Sequence, residues 1–105
     1  MDFFNIKTEH GLRIIHTESL LAVEVSDYLC TFYVESEPSI SCVESLQKIH
    51  SKLPDYFIRI SRNCIINTLH VKSIDFKRKE VKLTESRTCN FSVRNAKILK
   101  TLFSK

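Results

Sequence analysis

One glycine, two prolines and no apolar run longer than a few residues set the first limits on this 105-residue chain. A single glycine, Gly11, cannot build a phosphate-cradling loop or hold a nucleophile on a glycine-rich elbow, so the common hydrolase and nucleotide-binding patterns are missing. Glu35 and Glu37 are the nearest thing to a catalytic carboxylate pair, but they stand beside Pro38 in a polar turn where simple exposure explains them. No enzyme and no cofactor are expected. The lack of a long apolar stretch excludes a helical membrane span, and the lack of a basic, apolar leader makes the cytoplasm the expected address. Cys30, Cys42, Cys64 and Cys89 form no Cys-x-x-Cys pair, and His10, His16, His50 and His70 fall in no ligand-like spacing. Neither zinc nor any other metal site is expected, and the cysteines read as reduced, mostly buried thiols. Linkers, low-complexity tracts and repeats are also missing, so residues 1–105 read as one domain, long enough to bury a core without staples.

What the chain does have is an uneven charge. Residues 1–54 hold four basic and eight acidic side chains, whereas residues 55–105 hold twelve and four. The basic half points to an anionic partner, with nucleic acid the usual one; a solvated lysine-rich face is the other reading.

Periodicity predicts a mainly β chain. Residues 2–8 and 12–17 read as a hairpin turning at His10-Gly11, followed by strands "LLAVEV" (20–25) and "LCTFYV" (29–34) around Ser26-Asp27. After the "ESEPS" turn the period changes. Val43, Leu46, Ile49 and Leu53 recur at helical spacing, which predicts a helix over about 42–53, with Ser41 and Glu44 as its capping box and Pro54 as its stop. Its outward side chains are weakly basic, so its expected role is packing. Short strands then follow in "FIRI", "CIIN", "HVKSIDF", "EVKLT" and "TCNFSV". The segment "RNAKILKTLF" predicts a short helix over about 94–103, its apolar face formed by Ile98, Leu99, Leu102 and Phe103.

Three linked segments carry a family resemblance: "LLAVEVSDYLCTFYV", "FIRISRNCIIN" with its polar Ser61-Arg62-Asn63 insert, and "SVRN" at 92–95. In this order, from about Ile14 to Leu102, they resemble the LytTR DNA-binding domain, an output module of bacterial response regulators. The resemblance implies an elongated stack of small antiparallel sheets whose loops enter successive major grooves of a duplex, in transcriptional control. It also implies site residues: Arg62 in the polar turn with Ser61 and Asn63 beside it, Arg94 and Asn95 in the closing motif, and Cys30 in a third contact region after Asp27-Tyr28. Arginine suits the task because its fork takes guanine O6 and N7 together, and an amide or hydroxyl can read adenine or hold a phosphate. Arg59, Lys97 and Lys100 read as phosphate-neutralising charges, although Arg59 could equally pair with a carboxylate such as Asp75.

The chain departs from the family where Ser61 replaces a usual histidine and Asp27-Tyr28 replaces a frequent Gly-Asn. The expected partners are double-stranded DNA, bound by a monomer in one copy and by two copies on direct repeats, and a receiver or sensor domain. The alternative is a small basic β module that binds RNA or an acidic protein.

Overall fold

A computed structural model describes residues 3–104, so Asp2, which the sequence pattern places at the start of the first strand, lies outside the described residues. The strands are numbered in chain order. β1 (Phe3–Thr8) and β2 (Gly11–His16) form a hairpin in which Thr8 faces Gly11. Glu9 and His10 therefore make the turn, and Gly11 follows it at φ 147°, a backbone state that favours glycine. β3 (Leu20–Ser26), β4 (Leu29–Val34), β5 (Ile40–Val43), β6 (Phe57–Ser61) and β7 (Cys64–Asn67) build the middle sheet in the order β5-β4-β3-β7-β6. β8 (Val71–Asp75), β9 (Glu80–Leu83) and β10 (Thr88–Asn90) form a third sheet. All neighbouring strands run antiparallel, and the molecule measures 44 × 25 × 23 Å. The elongated stack of small sheets expected from the sequence is the observed architecture.

Two cores lie on the two faces of the middle sheet. The first gathers Ile6, Ile15, Phe32, Ile49, Phe57 and Ile65; the second gathers Leu21, Ile60, Ile66, Val81, Phe91 and Leu99. β7 explains why "CIIN" does not alternate: Ile65 enters one core, Cys64 and Ile66 enter the other, and every residue of the strand is buried. A register shift between Leu20 and Ala22 sends both Leu21 and Ala22 to the second core, while Leu20 and Val23 face the first. Each large side chain so buried is worth about 1.5–3 kcal/mol relative to exposure.

Helix α1 spans Leu46–Lys52, shorter than the expected 42–53. Ile40–Val43 pairs with β4 instead, placing Ser41 opposite Thr31 in a ladder, so Ser41 does not cap the helix. Ser45 does, its Oγ accepting from the Lys48 amide at 3.1 Å. Val43 is exposed on the edge strand, whereas Leu46, Ile49 and Leu53 pack inward as their spacing predicts. A single 3₁₀ turn (Val93–Asn95) leads into α2 (Ala96–Phe103). Only Leu99 of the expected apolar face is buried, in the second core; Ile98, Leu102 and Phe103 remain exposed.

With so little glycine, five other residues among those described adopt left-handed backbone at turns: Asp27, Ser36, Lys79, Glu85 and Ser86, at φ 57–63°. Ser36 and Glu85 belong to different turns and are joined, the Ser36 amide and hydroxyl both donating to Glu85 Oε1 at 2.8 and 3.0 Å.

Candidate nucleic-acid interface

The polar insert Ser61-Arg62-Asn63 closes the β6–β7 hairpin, with Ser61 opposite Cys64 and a register shift after Arg59. Its shape is held from inside. Asn63 N donates to Ser61 Oγ at 3.2 Å, and the Arg59 guanidinium donates to the carbonyls of Ser61 (3.3 Å) and Arg62 (2.6 Å). Arg59 therefore clasps the turn and does not pair with Asp75. That carboxylate receives the amides of Lys77 and Arg78 in the β8–β9 turn and lies 3.9 Å from the Arg78 side chain.

Two backbone hydrogen bonds bring the other segments alongside. Val25 N donates to Asn63 O at 2.9 Å, which ties the end of β3 to the turn. Ser92 N donates to Ile60 O at 3.0 Å, which lays the Val93–Asn95 turn against β6 although the two are far apart in sequence. Asn95 fixes that turn by donating from Nδ2 to Ser92 Oγ at 2.8 Å. An open cleft of about 570 Å³ results, lined by Arg59, Ser61, Arg62, Ser92, Val93, Arg94 and Asn95. Three of its seven lining residues are arginines and none is acidic, so its field is positive. Arg62 and Arg94 are exposed, and neither forms an ion pair among the described residues. A second cleft shares Arg59 and is lined also by Asp27, Tyr28 and the start of α1, with Tyr28 74% exposed on the left-handed turn of Asp27.

Six of the nine residues singled out from sequence thus meet around one turn system: Arg59, Ser61, Arg62, Asn63, Arg94 and Asn95. Lys97 is exposed one helical residue beyond, on α2. Lys100 lies over the Phe76 ring, 5.3 Å from its centroid, in a different groove between β8 and α2. Cys30 is corrected. It is fully buried, its thiol donating to the Glu44 carbonyl at 2.9 Å, and burial pushes its pKa up, with Cys42 and Glu44 adding to the effect. The alternation along β4 turns Cys30 into the first core and leaves Tyr28 and Leu29 outward at that end. Tyr28 was legible as a bulky turn residue; the inward use of Arg59 had no local signal.

Because Arg59 spends its donors on the turn, its loss should act through shape. Arg59→Met is expected to leave the salt dependence of DNA binding unchanged within about half a unit of slope, while weakening a specific site by on the order of 1–2 kcal/mol. Titrations at several salt concentrations test this, and a slope smaller by about one unit would make Arg59 a phosphate contact instead.

Convergent arginines without paired acids, carried on hydrogen-bonded turns, suit a domain that holds a polyanion. The profile of the LytTr DNA-binding domain family matches residues 10–104, and the chain belongs to that family. Its activity at family level is DNA binding, not catalysis, and such domains occur in response regulators with separate receiver domains. Among solved structures, one similar chain is the LytTr DNA-binding domain of a Bacillus cereus protein described as a methyl-accepting/DNA response regulator. The two share the fold with a TM-score of 0.83 and 23% identity, over 100% of this chain and 99% of that one. No curated protein matches the chain. No helix among the described residues is long and apolar enough to cross a membrane.

Proposed function

We propose that this domain recognises a specific duplex DNA site in transcriptional regulation, with the Arg62-Asn63 turn and the Arg94 turn reading base edges in a major groove. The observation that carries this reading is the shared cleft: two arginines from distant segments stand beside each other, exposed and unengaged by any acid among the described residues. Both turns are seated by backbone hydrogen bonds, so their side chains are presented at a fixed spacing. Lys97 and other exposed cations supply phosphate contacts, which set register without reading sequence. The Asp27-Tyr28 turn gives a third contact, through Tyr28 in place of Cys30. The domain is a monomer when free and fills direct-repeat sites in two copies, and a separate receiver or sensor domain supplies the signal.

Arg62→Ala and Arg94→Ala should each cost on the order of 1–3 kcal/mol on a selected site and relax base preference at one position. Lys97→Ala should weaken selected and random duplexes alike. Site selection from a random pool followed by anisotropy titrations measures both. Equal losses on selected and random DNA for all three variants would rule out base reading by the two arginines.

A further inference from the structure

The second core contains a group of donors that the DNA-facing surface does not use. Glu24 on β3 stands directly opposite Cys64 on β7, and Cys89 on β10 reaches across from the third sheet. One carboxylate oxygen and the two sulfurs all lie within 4.8 Å of one another, with both cysteines buried and Glu24 half-buried. We propose that Glu24, Cys64 and Cys89 form a binding site for a borderline-soft divalent cation of the zinc class.

The chemistry of the donors selects the ion. Two thiolates and one carboxylate suit Zn²⁺ or Co²⁺, whereas calcium and magnesium require a shell of oxygens. Tetrahedral zinc with bonds of about 2.3 Å to sulfur and 2.1 Å to oxygen separates its donors by roughly 3.5–3.8 Å, so the three groups need to draw in by only about 1 Å. A fourth position is left to water, which makes the site exchangeable instead of permanently closed.

The surroundings favour a cation over the empty cluster. Glu24 has no basic partner within ion-pair distance among the described residues, and its charge opposes ionisation of both thiols. The Cys64 thiol makes only a long hydrogen bond, to the Ile65 carbonyl at 3.8 Å, which it can give up to a metal. The Arg87 guanidinium lies over the Tyr33 ring, 3.6 Å from its centroid, and forms no ion pair with Glu24. Binding releases the thiol protons to solvent and gathers the negative charge of two thiolates and Glu24 around one cation.

The site also has a structural consequence. Cys64 directly follows the Arg62-Asn63 turn, and Cys89 stands just before the segment that carries Arg94. A bound ion would tie the middle sheet to the third sheet between the two arginine-bearing turns. No spacing in the sequence announces this, because the donors come from three separate strands.

The test uses the reduced, chelator-stripped protein titrated with Co²⁺ and Zn²⁺. One equivalent of Co²⁺ should give a sulfur-to-cobalt charge-transfer band, and Zn²⁺ should displace it. Cys89→Ser should abolish the band, and the control Cys42→Ser should keep it. Glu24→Gln, a half-buried isosteric change that preserves packing, should lower zinc affinity at least tenfold in competition with a chromophoric chelator. No band at one equivalent, a band that survives Cys89→Ser, or zinc affinity untouched by Glu24→Gln overturns the site. Should Cys89→Ser fail to fold, the Glu24→Gln titration decides alone.

Discussion

Raising monovalent salt from about 50 to 200 mM is expected to weaken duplex binding by roughly 500-fold, from a log–log slope of about −4 to −5. Five of the exposed cations are assigned to the duplex, Lys72, Lys97 and Lys100 to phosphates and Arg62 and Arg94 to the groove, where their charge also displaces counterions. Arg59 and Arg87 leave that count, because one clasps its own turn and the other stacks on Tyr33. None of the five takes part in the three ion pairs of the described residues, Arg13 with Glu37, Lys48 with Glu44 and Arg78 with Asp75. Each can therefore displace a condensed counterion from DNA without first breaking an ion pair. The slope is read from anisotropy titrations at four or more salt concentrations on one duplex. A slope near zero would show that phosphates contribute little and would sink the duplex-binding geometry.

The largest expected loss of stability comes from a residue that touches no DNA. Asn67 is fully buried at the end of β7, and its amide serves three backbone groups. Nδ2 donates to the carbonyls of Thr17 (3.3 Å) and Leu20 (2.9 Å), and Oδ1 accepts from the Leu69 amide at 2.8 Å. Leucine has nearly the same volume but no hydrogen-bonding groups. Asn67→Leu would leave the partly buried Leu69 amide without its acceptor and remove a donor from the Leu20 and Thr17 carbonyls, of which Thr17 O keeps the Leu20 amide, at about 1–3 kcal/mol for each group left unpaired before any relaxation. A total near 3–5 kcal/mol is expected, a large share of the stability of a domain of this size. Urea denaturation of the wild type and variant measures it. A loss below about 1 kcal/mol would mean that water or a local shift replaces all three bonds.

The succession of strands along the chain and most turns were legible because they depend on local signals. The apolar pairs around Arg62 and Asn63 mark a hairpin from sequence, and Leu46, Ile49 and Leu53 mark a helical face that the structure buries. Ile40–Val43 was not legible as a strand, since its residues continue a helical spacing into Leu46 and only pairing with β4 overrides it. The same competition moved the cap from Ser41 to Ser45. Cys30 was misplaced because a shift of one residue along a strand exchanges core for solvent, and nothing local distinguishes it from Tyr28 or Leu29. The inward clasp of Arg59 and the meeting of Glu24, Cys64 and Cys89 depend on which strands become neighbours, information that no window of sequence contains.

The five described non-glycine residues with left-handed backbone have a consequence for the unfolded chain. A side-chain-bearing residue in that state costs about 1 kcal/mol or more in the native fold, yet it gives the denatured ensemble fewer conformations than glycine would. The domain thus trades native strain for lower disorder at its tips, and the bond between Ser36 and Glu85 braces two such tips against each other. The Asp27 tip shares this stiffness and carries Tyr28. A turn that is already ordered loses little freedom when a ligand arrives, so the family's frequent Gly-Asn at this position would be the looser version of the same surface.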